Sequence, residues 1–341
     1  MTLERYSRQI LFPGVGEAGQ RKIRQATVGL LGLGALGSTL ADLMTRSGVG
    51  RLVAVDRDIV EPSNLHRQTL YTQADADAGL PKAVAARKRL REINPDVDIE
   101  CLSLDLGPDN ALDVFEECDL ILDGADGFET RYLLNDVAIH LGIPWIYGAC
   151  VAARGMTATI IPGATPCLTC LFPEPPPPGS QETCETGGVI PPVATLVASL
   201  QATEALKLLV GDRPSLRRGL LSIELWPFRT VLIGESALPS PDCPACQGRK
   251  LRFLAGSAES RSARLCGRNV VQIVPREPLG RSLRELAPRL ESLGRVRTME
   301  GVLHLEIDGL TLTLFPDGRA LVRGTDDPGR ARGLYSRLFG S

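Results

Sequence analysis

Two hydrophobic rhythms alternate along the first 150 positions of the chain. Short apolar runs occur at 27–31 (TVGLL), 51–56 (RLVAVD), 97–102 (VDIECL), 119–123 (DLILD) and 143–149 (IPWIYGA). Each reads as a buried strand. Between them the apolar spacing turns helical. Ala35 to Ser47 carries Leu36, Leu40, Leu43 and Met44 on one face, a second helix starts at Lys82 and stops at Asn94-Pro95, and a third covers 129–141. Strands alternating with helices predict an α/β fold, a Rossmann-like, doubly wound, mostly parallel sheet.

Past Cys150 the pattern changes. RGMTATIIP (154–162) alternates like an antiparallel strand, and 162–187 reads as loop, because FPEPPPPG cannot enter a helix or a central strand. Residues 192–210 predict a helix, and LLSIEL (220–225) and RTVLI (229–233) two closing strands. Beyond Cys246 a polar linker leads to a small α+β tail. The tail has a helix near 281–293, strands at LHLEI, LTLTLF and RALVRG, and a last helix near 327–338. The expected organisation is therefore a main domain over 1–250, with an antiparallel extension, and a small C-terminal domain over 260–341. A length of 341 residues suits one large domain plus an appendage.

Composition narrows the partners. A net charge of −2 gives no bulk signal for nucleic acid or an anionic membrane, and neither is expected as a partner. MTLERYSRQILF is too charged for a signal peptide, and the longest apolar stretches are interrupted too early for a spanning helix. A cytoplasmic, reducing location follows as the expectation. The nine cysteines are then read first as metal or catalytic chemistry.

Gly32, Gly34 and Gly37 stand between a strand and a helix. There the first permits a tight turn, the second lets phosphate approach the backbone and the third lets helix and strand pack closely. Asp56 closes the second strand, where a carboxylate can take ribose hydroxyls. Such a fingerprint defaults to NAD. The loop DRDIVEPSNLHRQ argues for more phosphate: it packs Asn64, His66, Arg67 and Gln68 into five positions, and Lys82 opens the next helix. A triphosphate with a leaving pyrophosphate calls for such extra cations. Asp123, Asp126 and Arg131 follow the fourth strand; a carboxylate there suits either Mg²⁺ beside phosphate or a helix N-cap. Two CxxC knuckles, Cys167/Cys170 and Cys243/Cys246, can complete a tetrahedral zinc site. Cys101, Cys118 and Cys150 read as small core residues, and His140 as packed within its helix.

These motifs together resemble the ThiF/MoeB/HesA superfamily of adenylyltransferases that activate ubiquitin-like proteins. The resemblance rests on RYSRQILFPGVGEAGQ (5–20), GLGALG (32–37), DRDIVEPSNLHRQ (56–68), GLPKA (79–83), INP (93–95), DLILDGADGFETRYLLND (119–136) and GGVIPPVATLVASLQATEALKLL (187–209). It implies ATP-dependent adenylation of the C-terminal Gly-Gly carboxylate of a sulfur-carrier protein, for thiamin or molybdopterin biosynthesis. A separate sulfur donor of cysteine desulfurase or rhodanese type and a homodimer are implied as well. The resemblance makes Asp56 a ribose ligand, Asn64, Arg67 and Lys82 phosphate contacts with Gln68 beside them, and Asp126 the Mg²⁺-linked acid. Arg8 would reach into the partner's ATP site, Cys184 would serve in covalent linkage or sulfur transfer, and the four knuckle cysteines would hold Zn²⁺. Gly127 departs from the asparagine common at that position. The alternatives are an NAD-dependent oxidoreductase on the same glycine fingerprint, or a non-catalytic scaffold of the superfamily.

Overall fold

The computed structural model describes residues 3–176, 182, 186–234, 236–256, 262–264, 269–275 and 279–339. Strands β1 (Thr27–Leu31), β2 (Arg51–Asp56), β3 (Asp98–Ser103), β4 (Leu120–Asp123), β5 (Trp145–Val151), β6 (Arg154–Ile160), β7 (Leu220–Leu225) and β8 (Phe228–Ile233) form one sheet, in the order β3-β2-β1-β4-β5-β6-β7-β8. Pairing is parallel from β3 to β5 and antiparallel from β5 to β8. The mostly parallel sheet with an antiparallel extension is thus as expected.

In chain order the helices of this part are α1 (Ser7–Ile10), α2 (Gly16–Ile23), α3 (Ala35–Ser47), α4 (Gln73–Ala78), α5 (Lys82–Ile93), α6 (Ala111–Phe115), α7 (Phe128–Leu141), α8 (Leu168–Leu171) and α9 (Pro191–Val210). The apolar stripes of α3, α5 and α9 bury Leu40, Met44, Leu90 and Val197 on one face of the sheet. α6 and α7 bury Phe115, Leu134 and Val137 on the other. The strand order reverses between β1 and β4, two parallel neighbours, which opens a crevice at the carboxyl ends of the strands where ligands bind in such sheets. α3 ends where Gly48 adopts φ 77°, a left-handed cap that only glycine takes without strain.

By length and composition alone, α9 is long and apolar enough to cross a membrane. Here it is a core helix lying on α3, β5 and β6. Its Gln201 donates to the carbonyls of Asp123 at 2.9 Å and Ile146 at 3.0 Å, and its buried Glu204 pairs with Lys207 at 2.6 Å.

The tail builds a second sheet from β9 (Ser262–Arg264), β10 (Val270–Ile273), β11 (Arg295–Met299), β12 (Val302–Ile307), β13 (Leu310–Leu314) and β14 (Ala320–Arg323). The order is β11-β12-β13-β14-β10-β9, antiparallel throughout. Helices α10 (Leu283–Glu291) and α11 (Pro328–Phe339) close its core, which includes Val271, Leu305, Leu312 and Tyr335. Strand β11 escapes sequence reading because RVRTM is largely exposed and lacks an apolar face. A small apolar cluster of Ile59, Val270, Val302, Phe315 and Leu321 joins the two sheets. His140 is exposed on α7, not packed, because the inward faces of that helix are taken by Leu133, Leu134 and Val137.

Candidate active site

The glycine loop is tight for stated steric reasons. Gly32 has φ 84°, and a Cβ there would meet the Gly124 carbonyl oxygen at 2.6 Å. A Cβ on Gly37 would fall 1.9 Å from the Gly32 oxygen. Gly34 differs: it faces open space, with Gln68 Nε2 as nearest neighbour at 3.9 Å. No side chain caps the α3 N-terminus, so its first amides stay available to an anion.

Asp56 is buried at the end of β2. Its Oδ2 accepts from the Leu33 amide at 2.7 Å and its Oδ1 from the Asp58 amide at 2.7 Å. Burial pushes its carboxyl above the ordinary range; Lys82 pulls against that and Asp58 adds to it. Lys82, at the first turn of α5, is only 3% exposed. Its Nζ lies 3.1 Å from Asp58 Oδ2, and its amide donates to the Asp58 carbonyl at 2.9 Å. Asn64 is fully buried. Its Oδ1 accepts from the Glu61 amide at 3.1 Å, while its Nδ2 has no partner among the described residues. Gln68 Oε1 is likewise buried and unpartnered. Arg67 is half-buried and donates to the Ser63 carbonyl at 2.6 Å, and no carboxylate among the described residues neutralises it. The structure therefore brings Gly32, Gly34, Gly37, Asp56, Asn64, Gln68 and Lys82 around one crevice, with free amide donors and orphaned amide groups, while Arg67 stands on the same loop with its guanidinium on the Ser63 carbonyl. That is a donor set fitted to a polyphosphate.

The acidic cluster divides in two. Asp123 is completely buried and bound to Arg131 Nε at 3.0 Å, with the Ala125 amide at 2.9 Å. Burial pushes its carboxyl up against the pull of Arg131. It ties β4 to α7. Asp126 is exposed, and the N-cap of α7 is Gly127, so the N-cap reading of Asp126 does not hold. Its charge is felt by Arg57: burial works against that guanidinium, but Asp105, Asp58 and Asp126 outweigh it and raise its pKa.

Arg8 stands apart. It is exposed on α1, which is fixed by Gln9 donating to the Ser47 carbonyl at 3.0 Å and by Asn94 donating to Tyr6 at 2.8 Å. Those contacts lie at the far ends of α3 and α5. A helix of 13 residues is about 20 Å long, so Arg8 does not join the crevice of its own chain. Cys184 lies outside the described residues.

The second constellation is metallic in geometry. Cys167, Cys170, Cys243 and Cys246 place their sulfurs within 4.8 Å of one another. The Cys167–Cys170, Cys167–Cys243 and Cys170–Cys246 separations are 3.7, 3.6 and 3.6 Å. Tetrahedral thiolates around zinc would stand about 3.8 Å apart. The cluster can bind a metal. It joins the loop after β6 to the segment that follows β8.

Sequence reasoning did not single out Asp58, Asp105 or Tyr71. Tyr71 donates to the Leu33 carbonyl at 2.8 Å and so steadies the glycine loop. Asp105 accepts from Arg57 at 3.3 Å and from Gln272 of the tail at 2.6 Å. Only Asp58 stood within a quoted motif; the other two lie in stretches without a recognisable spacing.

Comparison with known proteins gives the family and the fold. Residues 6–245 match the model of the ThiF family. The chain is 42% identical over 339 residues to the sulfur carrier protein ThiS adenylyltransferase of Bacillus subtilis, covering 98% of this chain and 99% of that one. It is 41% identical over 251 residues to the sulfur carrier protein adenylyltransferase of Thermus thermophilus, covering 72% and 90%. Among solved structures, E. coli MccB with ATP superposes with a TM-score of 0.62 at 22% identity over 72% of this chain and 74% of that one, a likeness of fold.

Proposed function

As the chain belongs to the ThiF family, we propose that it adenylates the C-terminal Gly-Gly carboxylate of a ubiquitin-like sulfur-carrier protein. A carboxylate oxygen attacks the α-phosphorus of ATP, the bond to the bridging oxygen breaks, and pyrophosphate leaves with that electron pair. The product is an acyl-adenylate. No covalent nucleophile is required for this step, only positioning and charge neutralisation.

Support comes above all from the convergence of Asp56, Asn64, Gln68 and Lys82 on the glycine loop at the reversal point of the sheet. In this reading Asp56 holds the ribose hydroxyls. The α3 amides, Asn64, Arg67 and Lys82 hold phosphate oxygens. Lys82 trades its Asp58 partner for phosphate, so the cation is already placed when ATP arrives. Gln68, beside Gly34, completes the phosphate wall. Asp126, exposed and free of a capping role, is the residue for Mg²⁺, which when bound neutralises phosphate charge. Zn²⁺ in the four-cysteine cluster serves the fold, since metal binding free energy becomes folding free energy. A homodimer supplies Arg8 to the neighbouring site, where it meets charge developing on the phosphates. In the cytoplasm a persulfide on a separate sulfur donor then displaces AMP from the adenylate, and a thiol, the role we give to Cys184, attacks the resulting acyl disulfide, forming a new disulfide and releasing the thiocarboxylate. The near full-length likeness to the Bacillus subtilis protein favours a ThiS-type carrier for thiamin biosynthesis over a molybdopterin carrier.

The test is ATP–pyrophosphate exchange with Mg²⁺, with and without each Gly-Gly carrier of the same genome. Carrier-dependent exchange is the expected result. Tight NADH binding without Mg·ATP binding would instead revive the oxidoreductase alternative.

A further inference from the structure

The loop that carries Asp56 is held from outside its own domain. Arg319 follows the turn Phe315-Pro316-Asp317-Gly318 of the tail and is 1% exposed. Its guanidinium lies over the Phe315 ring, 3.7 Å from the centroid, with Asp317 Oδ2 3.7 Å from Nε. Its Nη1 donates to the backbone carbonyl of Arg57 at 2.5 Å. That carbonyl belongs to the same peptide unit as the Asp58 amide, which donates to Asp56 Oδ1 at 2.7 Å.

A trans peptide is planar and its C=O and N–H point in opposite directions. Arg319 therefore grips one end of a plate whose other end orients the Asp56 carboxylate. The next peptide is fixed too, by the Lys82 amide on the Asp58 carbonyl at 2.9 Å. Two more tail contacts brace the segment. Gln272 shares Asp105 with the Arg57 side chain, and Arg323 pairs with Glu61. Ile59, two residues further on, is sealed by Val302, Phe315 and Leu321. Burying a guanidinium is costly unless it is paired and hydrogen-bonded, and among the described residues Arg319 Nε and Nη2 have no hydrogen-bond partner, so the bond from Nη1 to the Arg57 carbonyl is the one that offsets this burial. Among the described residues of the tail, Arg319 is the one arginine buried to this degree, and its hydrogen bond goes to this peptide.

We propose that Arg319 is a positioning residue for nucleotide binding, acting through the Arg57–Asp58 peptide on the Asp56 carboxylate and hence on recognition of the ribose. The C-terminal sheet is, on this inference, a wall of the nucleotide site. The inference rests on the reading of Asp56 as the ribose ligand.

The experiment compares binding of Mg·ATP and Mg·2′-deoxyATP by calorimetry in the full-length, metal-loaded protein. Wild type should prefer ATP. Arg319→Met should weaken ATP binding by about tenfold, the scale of one buried hydrogen bond lost, and should weaken 2′-deoxyATP binding far less. The preference ratio should collapse, and Arg319→Lys should restore part of it. A merely structural loss would lower both nucleotides equally and leave the ratio intact. That result overturns the inference. Asp317→Ala loosens the same guanidinium from its solvent side and should give a smaller fall in the ratio; it serves if the Met variant does not fold, and an unchanged ratio in it then overturns the inference. Asp56→Asn separates the two readings. If it abolishes the preference while Arg319→Met does not, only the role of Arg319 fails. If neither changes the ratio, the ribose reading fails as well.

Discussion

Lys82→Met offers the sharpest check on the electrostatics of the crevice. Methionine keeps the length and helix propensity of lysine but removes the charge. The ammonium is almost fully buried, 3.1 Å from an Asp58 carboxylate that is itself mostly buried, and it is the charge that pulls down the Asp56 carboxyl. At an effective dielectric constant of about 20, two unit charges at that distance attract by about 5 kcal/mol. Desolvation offsets part of this, and breaking a buried pair from one side costs about 3–5 kcal/mol. A loss near 3 kcal/mol is therefore expected around pH 8. The pH dependence is the discriminating part. Asp56 in the folded protein already binds its proton more tightly than an unfolded aspartate, whose pKa is about 3.9. The stability linked to a raised carboxyl is complete below that unfolded value and is lost as pH climbs through the folded one. Removing Lys82 raises the folded value further, so the two proteins lose stability in parallel up to the wild-type folded value and the variant falls away from wild type as pH rises above it. Each added unit is worth about 1.4 kcal/mol. Urea unfolding of both proteins at about pH 5, 6.5 and 8, with matched metal content, measures the difference. A deficit that is equal at all three values, or absent, would refute Lys82 as the counter-charge of this carboxylate pair.

Three other outcomes are expected. Cys243→Ser should lose the bound metal on elemental analysis and lower the melting temperature by roughly 10 °C, because the cluster joins segments 76 residues apart; full metal content in the variant would reject the site. Asp126→Ala should abolish ATP–pyrophosphate exchange while leaving the unfolding curve within about 0.5 kcal/mol of wild type, since the residue is exposed. Wild-type exchange in that variant would remove it from the chemistry. Arg8→Ala should be inactive alone yet regain exchange when mixed with Asp126→Ala, because each mixed dimer then carries one intact site; no recovery on mixing would place Arg8 outside the partner's site.

What the sequence made legible was local. Hydrophobic period alone located β1 to β8 and the helices α3, α5, α7 and α9, since each has a continuous apolar face and a clear stop such as Gly48 or Asn94-Pro95. The glycine loop, Asp56 and Lys82 were readable for the same reason: each stands at the boundary of a clearly periodic element, between β1 and α3, at the end of β2 and at the start of α5. Asp123 and Asp126 were not separable, because spacing cannot say which carboxylate meets Arg131 in the core and which faces solvent. Arg8 shows the opposite limit. The resemblance of its motif would assign it to the chemistry of a partner's site, and the fold of a single chain sets it about one helix length from its own crevice. The contact from Arg319 to Arg57 spans 262 positions and falls on a backbone carbonyl, which leaves no periodicity and no residue preference at the receiving end. Sequence pattern reports side chains that repeat. The orientation of a peptide plane is set by whichever distant donor reaches it, and here that donor comes from the part of the chain whose role the motifs left blank.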